Sequence, residues 1–221
     1  MKKNLVLLLI ILVLVLTGCN KKVNYAEKFK NDYESLNGIK SKSGKVHRTV
    51  SIDIDNPFIE ISAKELVEKI ENKETFYVYF GDKLCPWCRS VIEKAIEVAK
   101  DNDIEKIYYV AIWDDEGNEI LRDKYELQDN KLTKVIDGSK EYYKILKYFD
   151  NVLSDYNLTD SEGNKVSTEE KRIYAPNFIY VEDGESLRLT EGISDKQKDS
   201  REKLTSEILE DEEELFKEFF K

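Results

Sequence analysis

The chain of 221 residues carries 35 basic and 45 acidic side chains, a formal net charge of −10. An acidic balance of this size argues against a nucleic-acid partner and against electrostatic adhesion to anionic lipid. The length suits one α/β core with elaborations, and thirteen tyrosines with three prolines and one methionine point to an ordered domain with a Lys- and Glu-rich surface.

In chain order, Met1 to Asn4 is a short basic region, and Leu5 to Leu16 is twelve unbroken apolar residues. That run is shorter than the about 20 residues a bilayer span needs. With Leu16-Thr17-Gly18-Cys19 after it, residues 1–18 read as a secretory leader with a small-residue cleavage site. The Leu-x-Gly-Cys ending resembles the lipobox of bacterial lipoproteins, which implies that Cys19 becomes the lipid-modified first residue of the mature chain. The other reading is an ordinary signal peptide with an incidental cysteine. Without Lys2 and Lys3 the mature chain has 33 basic against 45 acidic residues, a net −12, so membrane attachment would come from acyl chains and not from charge.

Residues 19–45 read as a lipidated N-terminus and polar linker, with a short helix (Tyr25, Phe29, Tyr33, Leu36) ending at Asn37-Gly38. Residues 46–221 read as the folded domain. His47 to Ile54 alternates and predicts a first strand, with His47 itself at the surface. Ser62-x-x-Glu65 is a capping box opening a helix from Ala63 to Glu71, with Leu66, Val67 and Ile70 inward. Thr75 to Phe80 is a near-continuous apolar strand, the signature of a sheet covered on both faces. A helix from Arg89 to about Lys100 carries Val91, Ile92, Ala95, Ile96 and Ala99 on one face. Ile107 to Trp113 predicts the next buried strand, parallel through a right-handed crossover.

Residues 119–170 read as an insert. It holds a helix from Tyr142 to Leu153 and a hairpin whose arms, Tyr156–Thr159 and Lys165–Thr168, flank Asp160-Ser161-Glu162-Gly163-Asn164. Ile173-Tyr174-Ala175-Pro176 leads into a strand from Asn177 to Val181, and a turn at 182–185 returns it as Ser186–Leu189. A long charged helix, Asp195 to Lys221, closes the chain, with Leu204, Ile208, Leu215 and Phe219 docking on the sheet. No internal repeat is present.

The chemistry concentrates at Cys85-Pro86-Trp87-Cys88, between the apolar strand and the helix it precedes. A helix start presents unpaired N–H groups and a positive dipole end, which favour a thiolate on the first cysteine. The second lies one turn deeper, where it can attack a mixed disulfide. Pro86 lacks an N–H, which the first helical turn tolerates. Trp87 either forms part of an exposed substrate rim or packs over the helix start. With Cys19 lipidated, the other two cysteines are this pair, and no thiol remains for a separate structural disulfide. A pair used this way in an oxidising compartment trades disulfides more readily than it staples a fold. A structural zinc site needs four ligands, which one pair and the single His47 do not supply, so no metal is expected. Asp53, Asp55 and Asp114-Asp115-Glu116 read as solvated loops; a weak cation site at the latter lacks the spacing of a calcium loop. Lys83 is a flexible charge of small effect on Cys85. There is no phosphate loop, hydrolase elbow or paired-histidine motif.

The β–α–β–α–insert–β–β–α order, with a dithiol after one strand and a proline entering a later one, resembles the thioredoxin superfamily over roughly Ile52 to Lys221. More narrowly, Tyr79-Phe80-Gly81 ahead of Cys85-Pro86-Trp87-Cys88-Arg89, and Arg172-Ile173-Tyr174-Ala175-Pro176 ahead of a strand, are similar to thioredoxin-like lipoproteins and bacteriocin-transport accessory proteins of low-GC Gram-positive bacteria. The resemblance implies an α/β, thioredoxin-like fold: a mixed central sheet flanked by helices, with an α+β insertion between the strand after the C-x-x-C helix and the cis-proline strand. It implies a lipid-anchored thiol–disulfide oxidoreductase on the extracytoplasmic face of a Gram-positive cell membrane, acting on thiols or disulfides of exported proteins or peptides. A membrane redox partner and no cofactor are implied with it. Cys85 corresponds to the nucleophile, Cys88 to the resolving cysteine and Pro176 to a cis-proline beside them, supported by Pro86, Trp87 and Ala175. If cis, Pro176 would leave backbone groups free to pair with a substrate segment; the alternative is a trans-proline where the strand begins. Pro86-Trp87 stands in place of Gly-Pro, and Ala175 precedes the proline. Both places set redox potential in this superfamily, so the direction of electron flow is open. The competing readings are a non-catalytic accessory module for peptide or bacteriocin export, and a structural lipoprotein stapled by its one disulfide.

Overall fold

The computed structural model describes residues 23–128 and 131–221. The expected leader and the Cys19 lipidation site fall outside the described residues. Helix α1 (Tyr25–Glu34) starts where the Asn24 side chain accepts from the Glu27 amide, and it buries Phe29 and Tyr33. The expected short helix therefore exists, but it packs into the core and does not behave as part of a linker.

No strand forms over 47–54. Its alternation still reports burial, since Val50 and Ile52 are buried while Ile54 is exposed. Side chains serve in place of a neighbouring strand. Asn37 pairs both ways with the Val50 backbone at 2.8 and 2.9 Å, Glu34 accepts from the Ile52 amide at 2.8 Å, and Lys30 donates to the Ile52 carbonyl at 2.6 Å. His47, read as a surface residue, is buried. Burial first, then the charges of Arg89 and Arg201, push its imidazole below its ordinary value.

The first strand is β1 (Phe58–Glu60), followed by α2 (Ala63–Glu71), whose capping box is formed by Ser62 and Glu65 in both directions. Then come β2 (Phe76–Gly81), α3 (Pro86–Asp101) and β3 (Ile107–Ala111). The insert contributes β4 (Lys124–Gln128) and β5 (Lys131–Ile136), α4 (Lys140–Tyr148), β6 (Ser154–Thr159) and β7 (Lys165–Arg172). The chain closes with β8 (Asn177–Glu182), β9 (Glu185–Thr190) and α5 (Ser206–Phe219).

The central sheet has the order β1-β3-β2-β8-β9, with β1, β3 and β2 parallel and β8 and β9 antiparallel to their neighbours. It is a mixed sheet within an α/β architecture. Successive residues of β2 face opposite sides, as the period of a strand requires. Tyr79 packs with α1, α3 and α5 (Phe29, Val91, Phe216), while Phe76, Val78 and Phe80 pack with α2 and α4 (Leu66, Ile145, Leu146). Each such fully buried apolar side chain contributes about 1.5–3 kcal/mol. In the turn from β8 to β9, Gly184 has φ +81, and a Cβ there would stand 2.5 Å from the Ile70 carbonyl oxygen. Only glycine lets that turn close against the end of α2.

Several expectations shift. The hairpin β4–β5 lies where the insert carries no expected element, and α4 ends at Tyr148 and not at Leu153. Residues 195–205 are not helical: α5 begins at its cap Thr205, and its buried stripe is Ile208, Glu212, Phe216 and Phe219, with Leu204 and Leu215 only half-buried. The insert is fastened by two buried arginines. Arg122 forks onto Glu119 at 2.7 and 2.9 Å and donates to the Ile173 carbonyl at 3.1 Å. Arg172 donates to the Asp123 carbonyl at 2.7 Å and lies 4.0 Å from the Tyr156 ring.

Candidate active site

The site lies where β2 ends and α3 begins. After Gly81 the chain turns sharply: the Cys85 amide donates to the Asp82 carbonyl at 3.1 Å, and the Asp82 carboxylate accepts from the Leu84 amide at 2.8 Å. Cys85 is the N-cap of α3, with extended backbone (φ −73, ψ 118), and Pro86 follows in the first helical turn. The Cys88 amide donates to Cys85 Sγ at 3.3 Å. The sulfur thus occupies the place of a capping oxygen, on the positive end of the helix.

The two cysteines are free thiols in different surroundings. Cys85 is 4% exposed and Cys88 is not exposed at all. A hydrogen bond from the Cys88 thiol pulls the Cys85 thiol below its ordinary value, assisted by the amides of Cys88 and Trp87, against burial and the charge of Asp82. Burial, followed by the neighbouring Cys85 sulfur, pushes Cys88 far up. The negative charge of the pair therefore belongs on Cys85, with the proton on Cys88.

Across from the helix, the Ala175–Pro176 peptide is cis. When protonated, the Cys85 thiol donates to the Ala175 carbonyl at 3.3 Å, so the dithiol and the proline segment, distant in sequence, meet at one place. Asn177 secures that segment, accepting from the Tyr174 amide at 2.7 Å and donating to the Pro176 carbonyl at 3.0 Å. Pro86, Trp87 and Ala175 are half-buried, whereas Pro176 is buried. Trp87 and Ala175 both pack on the core beside the two cysteines, so Trp87 packs over the helix start with part of its surface still open.

The other candidates lie elsewhere. Asp53 and Asp55 bind Lys100 at 2.8 and 3.0 Å on the surface. Asp114 shapes a turn, accepting from the Glu116 and Asn118 amides, and Asp160 repeats this with Glu162 and Asn164. Asp115 pairs with Lys83 at 2.6 Å. Among the described residues no group of three or more His, Cys, Asp and Glu side chains is arranged to hold a metal ion, and no helix is long and apolar enough to cross a membrane.

Four residues at the site carry no role in the sequence expectations. Asp82 is buried at the rim of a cavity of about 260 Å³ shared with Lys83, Tyr109 and Trp113. Burial pushes its carboxyl up to about 6 against the pull of the Leu84 amide. Arg89, one residue past the dithiol, is fully buried. Tyr79 and Tyr33 belong to the buried cluster that holds both cysteines, with their hydroxyls 2.9 Å apart. An acid in the short stretch between strand and dithiol was a usable signal for Asp82; nothing local marks Arg89 or Tyr33. The chain matches no protein-family model, and no curated protein matches it.

Proposed function

We propose that this chain is a thiol–disulfide oxidoreductase of thioredoxin-like fold, working through Cys85 and Cys88. The observation that carries the reading is the asymmetry of the two sulfurs: Cys85 caps α3 and accepts the Cys88 amide at 3.3 Å, while Cys88 is completely buried. The sheet order β1-β3-β2-β8-β9 with the dithiol following β2 supports the fold assignment. In this reading the Cys85 thiolate attacks a substrate disulfide and forms a mixed disulfide, and Cys88 then displaces the substrate thiol. The substrates are thiols or disulfides of exported proteins or peptides, and the protein stands lipid-anchored on the extracytoplasmic face of the membrane. Those two elements rest on residues 1–19 of the sequence. A membrane redox partner would restore the dithiol or the disulfide.

The decisive experiment is trapping. Cys88→Ser should accumulate substrates covalently on Cys85, and Cys85 should react with iodoacetamide near neutral pH far faster than Cys88. Accumulation on a Cys85→Ser variant and none on Cys88→Ser would overturn the roles. The 4% exposure of Cys85 favours one second reading, a non-catalytic accessory module for peptide or bacteriocin export. A dithiol unresponsive to both reduced and oxidised glutathione would support it.

A further inference from the structure

Cys88 must give up a proton before it can displace a substrate thiol, yet it is the sulfur less able to do so. It is fully buried, and an anion in such a place needs donors aimed at it. Tyr79 lies in the same buried cluster as Cys88, and its hydroxyl, followed by the Asp82 amide, counters the effect of burial on this sulfur.

The Tyr79 ring is held firmly. It stacks on Phe178 at 4.4 Å and on Tyr109 at 5.5 Å, rings from the strands on either side of β2. A Cβ on Gly81 would stand 2.1 Å from the Tyr79 hydroxyl oxygen. The phenol therefore lies along the strand over Gly81, towards the dithiol, in space that only glycine leaves open. Tyr79 is fully buried, and its hydroxyl is 2.9 Å from that of Tyr33, itself 1% exposed. Tyr33 comes from α1, and Arg89 Nη1, one residue past Cys88, donates to its carbonyl at 2.8 Å. The clamp fixes the last turn of α1 against the first turn of α3.

We infer that Tyr33 and Tyr79 form a donor chain serving the resolving sulfur: the Tyr33 hydroxyl donates to the Tyr79 oxygen, and the Tyr79 hydroxyl donates to Cys88 as its thiolate forms. The inference rests on the oxidoreductase reading. Burial raises both phenols well above their ordinary range, so neither takes the proton from Cys88; they stabilise the charge left behind. In the mixed disulfide between Cys85 and a substrate thiol, the Cys88 sulfur attacks Cys85 Sγ. The Cys85–Cys88 bond forms, and the bond from Cys85 to the substrate sulfur breaks with its electron pair on that sulfur. The proton released by Cys88 ends on the departing substrate thiolate. Two cysteine sulfurs are oxidised and the substrate disulfide is reduced, with no further reactant. Run backwards, the same chain stabilises Cys88 as leaving group. Tyr79 is the catalytic residue here, Tyr33 a positioning residue, and α1 belongs to the reaction centre.

The test separates two steps with a disulfide-bonded peptide as substrate and the full chain as enzyme. Formation of the mixed disulfide is timed in a Cys88→Ser background, and its resolution with Cys88 present, by single-turnover acid quench. Tyr79→Phe should leave formation unchanged within about twofold and slow resolution by about tenfold or more, the effect of one hydrogen bond to an anionic acceptor. Tyr33→Phe should slow resolution less. The double variant should be no slower than Tyr79→Phe, because Tyr33 acts through Tyr79. In a Cys85→Ala background, thiolate absorbance of Cys88 should appear at higher pH once the Tyr79 hydroxyl is gone. Unchanged resolution in Tyr79→Phe, or effects of the two substitutions that multiply, would overturn the donor chain alone. Should Tyr79→Phe fail to fold, unchanged resolution in Tyr33→Phe would do the same. Absence of any mixed disulfide in the Cys88→Ser protein would overturn the oxidoreductase reading and the chain with it.

Discussion

Arg89 Nη1 donates to the Tyr33 carbonyl at 2.8 Å, joining the residue after the dithiol to the end of the N-terminal helix. Its remaining donors reach the Arg48 carbonyl, the Lys83 carbonyl and Asn37 Oδ1. None of these partners is a carboxylate. A fully buried cation is thus held by peptide and amide dipoles drawn from α1, the 47–54 segment and the dithiol loop, and it is what binds them together.

Removing Arg89 leaves several buried carbonyls without donors, each costing about 1–3 kcal/mol. Arg89→Ala is therefore expected to destabilise the protein by at least about 3 kcal/mol in urea unfolding. Arg89→Lys should recover little of this, since an ammonium cannot reproduce the fork. Hydrogen exchange of the α1 amides should accelerate in both variants. Slow exchange there with normal stability would show that the clamp carries no energy.

Asp82, raised by burial to about 6, favours its neutral form in the fold. Its contribution to stability is present below about pH 4 and is lost as pH rises through 6. Asp82→Asn should stabilise the protein at pH 7 by up to about 3 kcal/mol. Because the Asp82 charge also opposes the Cys85 thiolate, the substitution should move the onset of thiolate absorbance at 240 nm to lower pH. An onset at higher pH would refute this.

Glu212, in the middle of the buried face of α5, has no hydrogen-bond partner on either carboxylate oxygen. Burial pushes it up to about 8; Arg48 and Lys94 pull against that, while Asp211 adds to it. The fold therefore loses stability as pH rises from about 4.5 through 8. Glu212→Gln should flatten this part of the pH–stability curve and stabilise the protein by a few kcal/mol above pH 8. An unchanged slope would contradict it.

The lowered Cys85 thiol stabilises the reduced dithiol, which raises the reduction potential. Equilibration with glutathione is expected to give a value above the about −270 mV of thioredoxin, on a scale where about 30 mV is 1.4 kcal/mol for two electrons. A value at or below −270 mV would mark a reductase.

Cys19→Ala is expected to abolish acylation and alter processing of the precursor, releasing the protein from the membrane. Two acyl chains anchor stably where one binds marginally. Recovery of the wild-type protein wholly in the medium without detergent would refute the tether.

The dithiol, the strand before it and the helix after it were legible in the chain itself, because each is a local pattern: six strand residues facing two cores, a sulfur and a proline at a helix start, and an apolar face on α3. The capping box at Ser62 and the turn at Gly184 were legible for the same reason. The β4–β5 hairpin was not, since its residues are exposed or half-buried on both faces and leave no alternation to read. Over 47–54 the alternation was genuine, but side chains of Lys30, Glu34 and Asn37 supply the partners a strand would have had. Arg89 and Glu212 carry residue types that ordinarily face water, and their burial in the fold, with that of His47, has no local signature. Local chemistry determined which sulfur caps α3. The meeting of Cys85 with Ala175, and of Arg89 with a helix more than fifty residues upstream, was decided by burial of surfaces far apart in the chain, where no short-range pattern records the partner.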